Sequence, residues 1–308
     1  MRRLLNDIVI KRILFLFLIF SVSMHVCGKG RNWKILSGSA TNGFHQISAG
    51  VRAGVASLTS TSEDYKSTIG FQTMLDLQYA YYFKRGNAKQ PYFGFLTGIS
   101  AGYVSSGYTG SVFDSYSTTD SKGDRIDYTI TANEVKTQVS QVQLQVPIMF
   151  SMMYNGLYAN VGPRFTIPVY SPYTQKIDNV DIHAYYEPYG VTLTNKVITG
   201  KVFDDQLSSS GTWQGPTFML DISAEIGYAF SVADGHMLSV GAYFDYNVYN
   251  NYKPTPSANQ SMINISQVGA DELCPPPTVE VLPLVSTYID KLSCFNAGLK
   301  LVYHFNVK

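Results

Sequence analysis

The chain of 308 residues has few charges and many aromatic residues. Charged residues make up 15% and aromatic residues 14%, whereas a soluble domain has about 25% charged residues. A formal net charge of +1 gives no electrostatic reason to expect nucleic acid as a partner. A barrel that crosses a bilayer needs aromatic side chains at both interfaces and few charges on its outer wall, so the composition favours an envelope protein.

The N-terminus has the layout of a secretory signal peptide. Four basic residues precede the apolar run at 13–22, and small residues follow near Gly28. We therefore expect a signal peptide at residues 1–28, a periplasmic linker at 29–43 and a barrel domain at 44–308. Cys27 leaves lipidation open as an alternative to simple cleavage near Gly28, although the residues before it fit a lipobox poorly.

Eight segments of the remaining chain alternate between apolar and polar residues, which predicts β-strands with one apolar face. The clearest is Ile69–Phe83, in which nearly all odd-numbered residues are apolar. It is longer than the five or six residues of a typical globular strand and exceeds the roughly nine to eleven that cross a bilayer. In chain order the predicted strands are Ile47–Val55, Ile69–Phe83, Tyr92–Tyr103, Gln141–Met152, Leu157–Val169, Phe218–Phe230, Leu238–Val248 and Phe295–Phe305.

Short and long connections alternate between these strands. The short ones span Lys84–Pro91 or contain the hairpin signals Asn155-Gly156 and Asp234-Gly235. The longest ones are Val104–Glu134, Tyr170–Gly215 and Tyr249–Ser293. Outer-membrane barrels have short periplasmic turns and long extracellular loops. The fold prediction is therefore all-β: an eight-stranded antiparallel transmembrane β-barrel with both termini in the periplasm.

A soluble, lipocalin-like barrel would show the same alternation. Three features favour the membrane: the strands are long, their polar faces carry Gly, Ser, Gln and Asn instead of Lys and Glu, and the last strand ends in the aromatic Phe305. We therefore place the protein in the outer membrane of a Gram-negative cell. Its expected partners are outer-membrane lipid and, through the C-terminal strand ending at Phe305, the barrel-assembly machinery.

The fourth and fifth predicted strands carry a family resemblance. Gln143–Tyr154 reads QLQVPIMFSMMY and Leu157–Arg164 reads LYANVGPR, with Pro147 and Gly162-Pro163 at the matching positions. They resemble the "polar-aliphatic-IPL" strand and the following "GP" strand of the PorT-like outer-membrane β-barrel family of Bacteroidetes-type envelopes. The resemblance spans Phe44 to Phe305 and implies a fold and a location. Some members are linked to secretion machinery, and no catalytic residue carries over.

Seven charged residues fall on the predicted inward faces. An eight-stranded barrel is just wide enough for side chains to fill it, and buried charges of opposite sign can pair there. We expect them to form a network that plugs the barrel; a proton or ion path through the same residues is the alternative. They are Arg52, Asp76, Arg164, Asp221, Glu225, Asp245 and Lys300.

Other local patterns give no chemistry. Gly98–Gly102 fits the G-x-S-x-G string of a hydrolase, but that motif needs a strand-to-helix turn and here the strand pattern continues. Asp120–Asp127 lacks the closing Glu of a calcium loop. The histidines show no ligand spacing. We therefore predict no catalytic, cofactor-binding or metal-binding residues.

Two cysteines remain if cleavage falls after Cys27. Cys274 lies in the last long loop and Cys294 at the outer end of the final strand, in an oxidising compartment. A disulfide between Cys274 and Cys294 and two free thiols are both open.

The expected function is non-enzymatic: envelope structure, adhesion or surface recognition. The long loops are dense in Tyr, Ser, Thr, Asp and Asn, which supply adaptable contacts to an extracellular protein partner. One alternative is an accessory barrel of a secretion or transport assembly, bound to a secretion-system protein. A less favoured one is a lipid-modifying enzyme, which would need a Ser, a His and an acid at the lipid-facing rim.

Overall fold

The computed structural model describes residues 43–60, 65–84, 90–120, 122–194, 206–233, 236–253, 262–266, 278–282 and 292–307. The expected signal peptide, Cys27, Cys274 and the Asp234-Gly235 turn lie outside these residues. The strands are β1 (Phe44–Ser60), β2 (Tyr65–Tyr82), β3 (Tyr92–Thr119), β4 (Arg125–Tyr154), β5 (Leu157–Tyr170), β6 (Pro172–Tyr186), β7 (Val191–Thr194), β8 (Gln206–Thr212), β9 (Met219–Ala233), β10 (His236–Asn250), β11 (Ile263–Ser266), β12 (Thr278–Val281) and β13 (Leu292–Val307). A short 3-10 turn lies at Glu187–Tyr189. Among the described residues, no helix has the length and apolarity needed to cross a membrane.

Eight of the strands close into a barrel. Hydrogen-bonded neighbours follow the order β1, β2, β3, β4, β5, β9, β10 and β13, and β13 pairs with β1 again. Every one of these pairs is antiparallel. The closing ladder runs from the His45–Val307 pair to the Ser60–Leu292 pair. These strands are the eight predicted from the sequence, so the prediction of an eight-stranded antiparallel barrel is confirmed.

The barrel wall has polar residues inside and apolar residues outside. On β2, Asp76 is 4% exposed, whereas its neighbours Leu75 and Leu77 are 64% and 60% exposed. The same alternation follows the other barrel strands. Water-soluble proteins bury their apolar faces, so this reversed arrangement is stable where lipid covers the outer wall. The predicted assignment of faces is confirmed, and the fold is a transmembrane β-barrel.

Aromatic side chains form two girdles on the outer wall. The turn-end girdle, beside the short turns, includes Tyr79, Tyr81, Phe83, Phe93, Phe95, Phe150, Tyr303 and Phe305. The opposite girdle includes Phe71, Tyr103, Tyr170, Tyr246 and Tyr249. Phe71 and Tyr81 lie on one strand, about 33 Å apart along it. At a strand tilt of about 40° the band between the girdles is about 25 Å tall, the height expected of a membrane barrel.

The turn between β4 and β5 confirms one of the predicted hairpins. Asn155 and Gly156 have φ angles of 48° and 85°, as a two-residue type I′ turn requires. A side chain on Gly156 would approach the ring of Tyr228 to 2.8 Å. Glycine therefore supplies both the left-handed conformation and the space for close packing against β9.

Where the structure describes them, two of the segments predicted as long loops, Val104–Glu134 and Tyr170–Gly215, are in large part β-structure, so the strands reach further than predicted. β3 and β4 continue far beyond the membrane band, and β6 pairs with the outer half of β4. β7 and β8 then add to the free side of β6, and β11 and β12 form a separate hairpin. We call this part the extension: residues 104–119 of β3 and 125–140 of β4, with β6, β7, β8, β11 and β12.

The polarity of β4 reverses on leaving the membrane. Its inward residues are glutamines at 141–145 and apolar residues at 126–132. Buried positions are even-numbered up to Ala132 and odd-numbered from Val135 onwards. The β3–β4 ladder is irregular between the Gly110–Val135 and Val112–Ala132 pairs, where one extra residue on β4 forms a bulge. The bulge keeps the buried residues on both sides of it in one apolar core, whereas the change from polar to apolar buried residues falls between Gln141 and Val139.

The extension has its own hydrophobic core, because apolar side chains from β3, β4 and β6 face the β11 segment across it. Trp213, Leu58 and Leu292 join it from the edges. The strand residues in this cluster are Tyr108, Val112, Ile126, Tyr128, Ile130, Ala132, Val135, Val139, Tyr173, Ile177, Val180, Ile182, Ala184, Ile263 and Ile265. The extension is therefore packed like a water-soluble β domain.

We predict that Leu75→Arg destabilises the barrel by about 2–4 kcal/mol, because it places a charge in the lipid-facing wall near the midplane. Ser115→Arg is the matched control, since Ser115 faces outward in the extension, and it should cost under about 0.5 kcal/mol. The measurement is the urea midpoint at which the folded form, which migrates faster in a gel, is lost. Equal losses for the two variants would contradict the assignment of the membrane band.

Candidate functional site

The structure places all seven predicted inward charges inside the barrel, each 4% exposed or less. Six of them form one closed ring of alternating ion pairs. Around the ring the contacts are Arg52–Asp76 at 2.9 Å, Asp76–Lys300 at 4.0 Å, Lys300–Glu225 at 2.8 Å, Glu225–Arg164 at 2.9 Å, Arg164–Asp245 at 3.6 Å and Asp245–Arg52 at 3.1 Å. Three cations therefore neutralise three carboxylates.

The ion-pair ring joins strands that are distant in the chain. Its members come from β1, β2, β5, β9, β10 and β13, six of the eight barrel strands. β4 takes part through Gln145, whose Oε1 accepts hydrogen bonds from Arg52 Nη2 at 2.7 Å and Arg164 Nη1 at 3.1 Å. The sequence indicated that these residues share the lumen, but it gave no signal that Gln145 bridges the two arginines.

Neutral groups add further hydrogen bonds to the ring. Ser223 Oγ accepts from Arg164 Nε at 2.9 Å and donates to Asp245 at 2.5 Å. Asn160 donates to Glu225 at 2.9 Å, and the Arg52 guanidinium lies 5.2 Å from the centre of the Tyr243 ring. Burying charges without such partners is costly. The bonded charges fill the lumen at the level of the ring, whereas buried polar atoms of Gln72, Gln78, Ser100 and Asn296 have no hydrogen-bond partner among the described residues. That the ring plugs the barrel stays a prediction.

Asp221 is the one predicted charge outside the ring. Its carboxylate accepts hydrogen bonds from Thr166 at 2.7 Å and Asn247 at 2.8 Å, and it is 2% exposed. Arg164 lies opposite Asp221 in the β5–β9 ladder, yet its guanidinium bonds Glu225 instead. No lysine or arginine among the described residues makes an ion pair with Asp221.

The other sequence patterns fall in ordinary strand positions. Ser100, the central residue of the G-x-S-x-G string, is buried in the middle of β3 and pairs with Asp76 and Gln145 in the two flanking ladders. Ser100 therefore does not lie at the strand-to-helix turn that a nucleophile elbow needs.

Within the described ranges, no group of three or more His, Cys, Asp or Glu residues could hold a metal ion. Cys294 lines a small cavity at the mouth of the lumen; the disulfide with Cys274 stays a prediction.

The far end of the extension presents a mixed polar and aromatic surface. We define the tip patch as Arg125, Asp127, Tyr185, Glu187 and Tyr189. Tyr185 and Tyr189 are 43% and 63% exposed, and Tyr185 lies opposite Asp127 in the β4–β6 ladder.

Two hydrogen bonds favour the ionised form of Asp127 in the tip patch. Ser117 donates a hydrogen bond of 2.5 Å to Asp127, and Arg125 Nε donates one of 2.9 Å. These bonds, that of Ser117 first, hold the pKa of Asp127 below its ordinary value. Asp127 is therefore ionised at neutral pH, beside the Arg125 cation.

No protein-family model matches the chain, and no curated protein matches it in sequence. Among solved structures, it is similar to Ail, the attachment invasion locus protein of Yersinia pestis, in complex with the heparin analogue sucrose octasulfate, at 10% identity and a TM-score of 0.28, over 86% of this chain and 99% of that one. Neisserial surface protein A is similar at 9% identity and a TM-score of 0.27, over 85% of this chain and 96% of that one. The outer membrane protease OmpT from Escherichia coli is similar at 10% identity and a TM-score of 0.26, over 89% of this chain and 99% of that one. At these scores the matches carry no argument about function.

We predict that Glu225→Gln destabilises the folded barrel by about 3–5 kcal/mol, because it removes the nearest buried counter-charge of both Lys300 and Arg164 and leaves them only the longer contacts to Asp76 and Asp245. Asp181→Asn makes the same chemical change on the outer surface of the extension, where Asp181 contacts His183, and should cost less than about 1 kcal/mol. Denaturant midpoints of the two variants give the comparison. A loss for Glu225→Gln no larger than that for Asp181→Asn would mean that the ring does not stabilise the barrel.

Proposed function

We propose that this chain is an integral outer-membrane protein of a Gram-negative envelope, and that its extension recognises a partner at the cell surface. The observation that carries the proposal is the packed core of the extension. A barrel that served only to anchor or conduct would need no folded β domain outside the membrane. Because the lumen is filled by bonded charges, the chemistry available to other molecules lies on the extension.

The tip patch is the part of this surface best suited to contact a protein. Exposed tyrosines beside an arginine are the residue types that contribute most to protein interfaces. The two tyrosines are held in place by strand β6 and by the 3-10 turn, where Tyr189 donates a hydrogen bond to Asp124 at 3.1 Å. Because the backbone that carries both tyrosines already belongs to regular structure, binding does not have to order a loop.

The orientation in the membrane can be checked directly. We expect Ser115→Cys, on the extension, to react with a membrane-impermeant maleimide in intact cells. Lys84→Cys, which is exposed at the short-turn end, should react only after the outer membrane is permeabilised. The unsubstituted chain corrects for labelling of the native cysteines. The reverse pattern would place the extension in the periplasm and favour the accessory role in a secretion assembly.

The recognition role is tested by the double variant Tyr185→Ala/Tyr189→Ala. If the unsubstituted protein makes cells adhere to surfaces coated with host extracellular proteins, cells displaying the double variant should lose most of that adhesion, because both aromatic contacts are gone. Phe113→Ala is the matched control: Phe113 is an exposed aromatic residue of the extension, 71% exposed, outside the tip patch. Equal adhesion by cells with and without the protein would reject adhesion to these surfaces. Equal losses in double variant and control would reject the tip patch as the contact.

A further inference from the structure

A small cavity lies where the polar lumen meets the apolar core of the extension. Its volume is about 10 Å³, and its walls include Leu58 and Val104 from the apolar side and Gln141, Asp221 and Asn296 from the polar side. A space of this size holds about one water molecule or one small ion. No lysine, arginine or histidine lines it.

Asn296 has an unsatisfied oxygen in this wall. The residue is 5% exposed, and its Oδ1 has no hydrogen-bond partner among the described residues. Leaving a buried carbonyl oxygen unpaired costs about 1–3 kcal/mol, so this atom needs a partner such as a water molecule or an ion.

Asp221 brings a second unmet requirement to the same wall. The six charges of the ion-pair ring balance one another, and Asp221 adds a fourth carboxylate to three cations. Its two hydrogen bonds, from Thr166 and Asn247, come from neutral groups. A water molecule in the cavity could bond Asn296, but it would bring no positive charge to Asp221, which Arg164 attracts only from a distance and without an ion pair.

We propose that the cavity is a binding site for a single alkali cation, with oxygens of Asp221 and Asn296 as ligands. One cation meets both requirements, since it neutralises the surplus carboxylate and pairs with the orphan carbonyl oxygen. The remaining polar wall offers amide and hydroxyl oxygens, from Gln141 and Ser57 among others. Hard oxygen donors with a single negative charge suit sodium; zinc and copper take several nitrogen and sulfur ligands, whereas this wall has no histidine and one cysteine, Cys294.

The site would join four parts of the barrel mouth. Ser57, Gln141, Asp221 and Asn296 come from β1, β4, β9 and β13, and Leu58, next to Ser57, belongs to the core of the extension. Cation binding therefore stabilises the junction between the membrane barrel and the extension.

The test uses the full chain, refolded in detergent, with heat unfolding followed in sodium chloride and in choline chloride at equal ionic strength. For the unsubstituted protein we expect a higher midpoint in sodium, rising by about 3 °C for each tenfold increase in sodium above the dissociation constant. Asp221→Asn should abolish the difference between the two salts. Asp181→Asn, a surface carboxylate, should retain it.

A second variant covers the case in which Asp221→Asn does not fold. Asn296→Leu keeps the carboxylate and removes the oxygen, so at least tenfold more sodium should be needed for the same midpoint, and the broadening of the sodium-23 NMR signal by the protein should fall. Equal midpoints of the unsubstituted protein in the two salts would overturn the proposal. A sodium effect that survives Asp221→Asn would also overturn it. So would a stability that depends on pH through Asp221 but not on sodium, because a proton would then neutralise Asp221 in place of a cation.

Discussion

The ring of six alternating charges is the interaction on which the barrel depends. A strand in a bilayer must pair its backbone on both sides, and the β1–β13 ladder closes the sheet to meet that condition. Closure alone leaves a lumen that has to be filled. The ion-pair ring fills it with side chains from six strands, and Gln145 ties a seventh strand to both arginines. Each member pairs correctly only in the observed register, because a slip of one residue would turn its side chain towards lipid.

The extension is a continuation of two strands of the barrel wall, β3 and β4. β3 and β4 leave the membrane as a paired hairpin, and their outer halves have a face that must be covered by protein in water. Between Gln141 and Val139 the inward residues of β4 change from polar to apolar, and β6 and the β11 segment cover the apolar side chains. Membrane wall and water-exposed domain thus share one continuous sheet, in which the environment decides which face is apolar.

The sequence was sufficient to predict the barrel and its inward charges, because period-2 alternation over long strands is a local signal. The segment Ile69–Phe83 shows this alternation without reference to any other part of the chain. The extension was missed although Ile126, Tyr128 and Ile130 alternate as clearly, because the shift from even to odd positions at the bulge breaks the pattern in the middle of β4. Contacts such as Gln145 with Arg52, 93 residues apart in the chain, depend on strand register, which alternation does not specify. The orphan oxygen of Asn296 likewise follows from packing and has no sequence signature.

The length of β4 has a mechanical consequence. Its 30 residues run without interruption from the exposed tip into the membrane wall, flanked by β3 on one side and by β6 and then β5 on the other. The hydrogen bonds of an antiparallel ladder lie across the strands. A pull on the tip is therefore directed along β4 and loads many bonds together in shear, so that the sheet resists it far better than a hairpin opened one bond at a time. A cell held by such a tip would transmit the drag of flowing liquid straight into the closed barrel.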